Sequence, residues 1–178
     1  HKEYRRQRQM CIRDRLRQLC EPPRINDTYA MNFSPGQTLL DSEETEAAIR
    51  GGRVAIINLW RSVAFEPVEV NPLAVCDSAS VFPKDLVVFE IRYADCIGEN
   101  YFVKYSPSHN WWFYPRMNRN EALLIKQWDS HGGLAKSQGG ESDADHSTFS
   151  FHTAFEDPMT RDDAPDRRSI EVRCAVIY

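Results

Sequence analysis

The 178 residues are 42% hydrophobic and 11% aromatic, enough to bury one core of ordinary size, and they lack the uninterrupted apolar run of about eighteen residues that a bilayer-spanning helix needs. Nothing at the start follows the basic, apolar, small-residue order of a secretion signal, so a cytoplasmic protein with no membrane partner is expected. The net charge of -4 hides an asymmetry, because residues 1–24 hold eight Lys/Arg against three Asp/Glu while the rest is strongly acidic; the five cysteines, odd in number and without C-x-x-C or zinc-ligand spacing, fit reduced thiols.

The basic arm comes first in chain order. Arg5, Arg6, Arg8, Arg13, Arg15 and Arg17 could meet an anionic surface, but no aromatic residues interleave them to stack on bases, and no nucleic-acid partner is expected. The Met-Cys-Ile-Arg-Asp-Arg stretch at 10–15 reads like adapter-derived sequence joined to a broken reading frame. Residues 1–20 are therefore expected to be an artefactual or disordered arm, 21–178 a single domain, and the fold N-terminally truncated.

A helix is predicted over 42–50, with Asp41 or Ser42 as its cap, acids in the first turn and Gly51-Gly52 after its end. β-Branched and aromatic runs follow at 54–60, 73–76, 86–93, 101–105, 111–114, 122–128, 148–155 and 170–178, separated by turn residues. Eight short strands suggest a sandwich or jelly roll. In the last strand Ile170, Val172 and Cys174 share one face and Glu171 and Arg173 the other, so the second face must meet water or a polar cavity. Trp60 is expected in the core. Tyr105, Trp111, Trp112 and Tyr114 are also expected to pack in the core, with a small-molecule pocket as the alternative. The polar stretches 130–147 and 158–166 read as loops, and both are candidate lids over the mouth of a jelly roll.

Several strings carry a resemblance: Ile57-Asn58-Leu59-Trp60-Arg61, Pro72 to Asp77, Glu121 to Lys126 with Trp128-Asp129-Ser130, Phe151-His152-Thr153-Ala154-Phe155, and the closing Arg167 to Arg173. In this order, from about Arg24 to Tyr178, they resemble the fungal and bacterial hydroxylase/desaturase proteins related to gibberellin desaturase and to the cephamycin methoxylation protein. The resemblance implies a mainly β fold, a cupin-like double-stranded β-helix (jelly roll) with a few short helices, holding Fe(II) and 2-oxoglutarate. It implies a non-haem iron dioxygenase acting with dioxygen on a small-molecule secondary metabolite.

Iron(II) that activates dioxygen needs about three protein ligands on one face, and two imidazoles with one carboxylate supply them. His152, flanked by apolar and aromatic neighbours, is the distal-ligand candidate, and a buried core histidine bonded to backbone is its bland alternative. The family's His-x-Asp falls on Ile25-Asn26-Asp27, where Asp27 fits the carboxylate and Ile25 has no lone pair to offer. Either the damage to the arm reaches residue 25, or this is a catalytically inactive jelly-roll protein that binds small molecules. The far carboxylate of 2-oxoglutarate calls for a cation and a hydroxyl, which Arg167 and Ser169 supply, with Arg173 on the same face in reserve. Asn58, Arg61 and Asp129 are further candidates for contact with substrate or cosubstrate, and Asp129 could instead cap a turn.

Overall fold

The computed structural model describes Cys20 and residues 37–92, 97–132 and 147–178. Helix α1 (Ser42–Arg50) forms where the sequence puts it. The Asp41 carboxylate accepts from the Glu44 backbone N–H at 2.9 Å, Glu43 and Glu44 sit in the first turn, and Arg50 sits in the last. Thr45, Ala48 and Ile49 are its buried residues. Gly52 is required by close approach, since a Cβ there would lie 2.7 Å from the Ala48 Cα.

Eight strands follow: β1 (Val54–Ser62), β2 (Leu73–Cys76), β3 (Leu86–Arg92), β4 (Ile97–Val103), β5 (Trp111–Phe113), β6 (Leu123–Asp129), β7 (His152–Ala154) and β8 (Ser169–Ile177). They make two three-stranded sheets, ordered β6-β1-β8 and β5-β2-β7, and a two-stranded ribbon of β3 and β4. The chain passes back and forth between the three-stranded sheets as a jelly roll requires. Bonds at the two ends of the pair, Val63 N–H to Arg168 O and Tyr178 N–H to Arg53 O, each 3.0 Å, set β1 and β8 antiparallel.

By contact density the chain divides into two compact units. One comprises residues up to 54 together with 88–101 and 177–178; among its described parts are α1 and most of the β3–β4 ribbon. The other, 55–87 and 102–176, contains both three-stranded sheets over most of their length and every described candidate for the site. Its core is Trp60, Val68, Met117 and Ile125, with Leu73 and Leu123 packed against them. Asn58 lies opposite Ile125 and Trp60 opposite Leu123, so Asn58 shares the core-facing side of its sheet. Leu73 brings the second sheet to the same core.

Two expectations need correction. Tyr105, Trp111, Trp112 and Tyr114 are not core residues: Tyr105 is 92% exposed and Trp112 65%, because β5 is an edge strand with little packed on it among the described residues. The strand expected over 148–155 shrinks to β7, since Thr148 and Phe149 bury their side chains in the approach to it.

Candidate functional site

β7 is short, and His152 opens it. Its ring is half-buried, and it lies opposite Val75, which in turn lies opposite Trp112. Leu73 packs on the Trp60–Ile125 core, and strand alternation gives Val75 and His152 the same orientation as Leu73. His152 therefore lies on the face of β5-β2-β7 that Leu73 shares. It lies two register positions from Leu73, as Asn58 lies two positions from Trp60 on β1.

The His152 Nδ1 is 3.0 Å from the Ser150 carbonyl. A carbonyl only accepts, so Nδ1 carries the proton and Nε2 keeps its lone pair. No described group bonds to Nε2. Metal-bound imidazoles show this arrangement, in which the outer hydrogen bond fixes the ring and its tautomer.

Arg167 lies just before β8, and its guanidinium stands 5.8 Å over the Trp60 ring. One of its terminal nitrogens donates to the Asn71 carbonyl. Asn71 adopts φ 49°, a left-handed conformation that asparagine tolerates. Ser169, the first residue of β8, is exposed, and alternation aligns it with Arg167.

The segment that carries Arg167 is tied down at Glu69. The Glu69 carboxylate accepts from Arg161 Nε at 3.0 Å and Nη2 at 3.3 Å and pairs with Arg116 at 3.3 Å, and the Glu69 carbonyl accepts from the Thr160 hydroxyl at 3.0 Å. The hydrogen bonds from Arg161 hold the Glu69 carboxyl below its ordinary range, against an opposing push from burial.

Asn58, 1% exposed, is the buried centre of a second polar group. Its Nδ2 donates to Glu171 Oε1 at 2.5 Å, and its Oδ1 accepts from Arg173 Nε at 3.1 Å. Glu171 and Arg173 thus share the face foreseen for them, and a buried amide separates them. The i, i+2 spacing on β8 puts Glu171 beside Arg173 on that polar face without giving it a role, and no local pattern signals Glu69 or Arg161.

The remaining candidates lie apart from this group. Asp129 is 2% exposed and works at the turn after β6, accepting from the His131 N–H at 3.0 Å and pairing with Lys126 at 3.4 Å. Arg61 points to the opposite face from Asn58 and donates to the Arg119 carbonyl at 2.6 Å. Asp27 lies outside the described residues, as does Ile25. Among the described residues no three His, Cys, Asp or Glu side chains converge to hold a metal; of the two expected ligands His152 alone is described, and its Nε2 has the lone pair that a metal needs.

Comparison with known proteins follows the same lines. A family model described as an oxidoreductase/YMDC permease-like domain matches residues 2–177. Among the described residues no helix is long and apolar enough to cross a membrane. The chain is 36% identical over 139 residues to the hydroxylase/desaturase asaB of Aspergillus flavus, covering 71% of this chain and 56% of that protein. It is 33% identical over 126 residues to the Fe(II)/2-oxoglutarate-dependent dioxygenase nvfI of Aspergillus novofumigatus, covering 70% and 41%. A solved structure of the iron and alpha-ketoglutarate-dependent endoperoxidase NvfI superimposes with a TM-score of 0.59 at 30% identity, over 76% of this chain and 46% of that one. The chain spans about half the length of the curated relatives it matches.

Proposed function

The chain belongs to the hydroxylase/desaturase family of non-haem iron(II) oxygenases of secondary metabolism, and on that premise we propose that the protein is an Fe(II)- and 2-oxoglutarate-dependent dioxygenase that hydroxylates or desaturates a small-molecule secondary metabolite in the cytoplasm. The observation that carries this reading is the His152 ring, with Nδ1 spent on the Ser150 carbonyl and Nε2 without a partner among the described residues. Fe(II) is assigned to His152 and Asp27, and when bound it supplies the oxygen activation that attack on an unactivated C–H bond needs.

The chain's own residues do the holding. Arg167, with Ser169, is assigned to the far carboxylate of 2-oxoglutarate in preference to Arg173. No carboxylate pairs with Arg167 among the described residues, and the Trp60 face beneath its guanidinium restricts access of water on one side. Arg173, by contrast, shares Asn58 with Glu171, whose negative charge opposes a dicarboxylate. The latch at Glu69 keeps the Arg167 segment in place.

Ile25 favours a second reading, a jelly-roll protein that binds small molecules without turning them over. Anaerobic titration with Fe(II) and 2-oxoglutarate, following the metal-to-ligand absorption band, separates the two. A band in the natural chain, or one restored by Ile25→His, supports the dioxygenase. Absence of the band from both, with no succinate formed from 2-oxoglutarate at saturating iron, leaves the binding protein.

A further inference from the structure

Glu171 and Arg173 are two residues apart on one strand face, about 7 Å along β8, close enough to pair directly. They do not. The buried Asn58 amide stands between them and takes one oxygen of Glu171 and the Nε of Arg173. Each partner is left half used. The second carboxylate oxygen of Glu171 and both terminal nitrogens of Arg173 have no partner among the described residues, and both side chains are exposed. The orientation of the amide is dictated by charge, with its NH2 toward the anion and its oxygen toward the cation, so the spacing of the two charges is fixed by a residue that cannot move. A guanidinium edge with both terminal nitrogens open accepts a carboxylate through two parallel bonds. A carboxylate oxygen beside it accepts an ammonium. Asn58, which holds the pair, lies on the core-facing side of β1, two positions from Trp60.

We propose that Glu171 and Arg173, held apart by Asn58, form a recognition site for the adjacent ammonium and carboxylate of an α-amino-acid-type substrate. The proposal names the substrate class of the dioxygenase proposed above and rests on His152 marking its reaction centre. A substrate bound there is fixed by its charged end. A lone carboxylate gains less, because Glu171 repels it, and a lone amine gains less because Arg173 does.

Calorimetric titration of the metal-free protein with L-leucine, 4-methylpentanoate and 3-methylbutylamine tests this without turnover. L-leucine is expected to bind at least tenfold more tightly than either single-charge analogue. Glu171→Gln should remove that preference over 4-methylpentanoate, and Arg173→Gln the preference over 3-methylbutylamine; both variants keep Asn58 and its amide, and matched thermal unfolding confirms that they fold. Equal affinity for all three ligands, or leucine binding indifferent to both substitutions, overturns the proposal. The iron titration on the same preparation keeps the two readings separate. A charge-transfer band without leucine preference refutes the recognition site alone, whereas leucine preference without a band upholds the site and removes the iron chemistry.

Discussion

Replacing Asn58 by aspartate changes one group and leaves volume and shape almost intact, so it isolates the electrostatics of the amide. In the folded protein the Nδ2 that donates to Glu171 at 2.5 Å becomes a carboxylate oxygen, while the oxygen 3.1 Å from Arg173 Nε gains charge. At an effective dielectric of about 20 the new repulsion from Glu171 is about 7 kcal/mol and the new attraction to Arg173 about 5 kcal/mol. The lost charge-assisted hydrogen bond removes a further contribution of about 1.5–3 kcal/mol. Glu171 and Arg173 are exposed and water screens both Coulomb interactions, which brings the expected loss of stability at pH 7 to about 3 kcal/mol. One proton shared between the two carboxyls restores the bond. The pair's folded pKa is therefore raised above its unfolded value, stability is retained below the unfolded value, and it is lost as pH rises through the folded one. Urea unfolding of the natural chain and Asn58→Asp at pH 7 and pH 4 reads this directly, and the difference between the two proteins should shrink by more than half at the lower pH. A difference that is the same at both pH values would refute the account of Asn58 as a charge-oriented bridge.

Ile125→Ala, at a position only 1% exposed in the main core, should destabilise by about 2–5 kcal/mol in the same assay. Glu69→Gln should loosen the segment before β8 and weaken 2-oxoglutarate binding several-fold, seen as faster amide exchange over 156–168 and a higher dissociation constant. In the natural chain the depressed Glu69 carboxyl gives a latch that is complete above its ordinary pKa of 4.5 and lost only as pH falls through the lower folded value, so exchange over 156–168 should stay slow at pH 5 and rise in stronger acid. The Cys76 thiol is pushed above its ordinary range, chiefly by burial, and should resist a thiol reagent at pH 8 until the protein unfolds, as mass mapping of the labelled peptides would show.

Local features of the sequence read through to the fold where one short-range rule governed them. α1 is found at 42–50 because cap, first-turn acids and terminal glycines agree, and β2 at 73–76 because turn residues bound it on both sides. β1, β3, β6 and β8 end within two residues of their expected limits, but β4 starts four residues before the predicted 101. Its Ile97-Gly98-Glu99-Asn100 start has no alternation to betray a strand, and pairing with β3 makes it one. The aromatic run at 111–114 was misjudged because residue type cannot tell an edge strand from a central one. The candidate residues His152, Arg167, Ser169 and Arg173 can be named from residue type and spacing, but their partnerships cannot. Asn58 meets residues 113 and 115 positions away, and Arg161 meets one 92 positions away, separations that no local pattern encodes.

The turn after β6 has a meaning for change over time. Gly132 sits so close to Thr148 that a Cβ on it would lie 2.2 Å from the Thr148 Cα, and the Ser150 N–H donates to the Lys126 carbonyl at 2.8 Å just behind. The two ends of the fourteen residues 133–146 are thereby held together, four residues before His152. Whatever is inserted above the pinch, the imidazole below it keeps its address, and doubling such a loop costs only about 0.6 kcal/mol in closure entropy. The stretch between Gly132 and Thr148 is in that sense a place where lineage or laboratory can lengthen the chain while His152 is left as it stands.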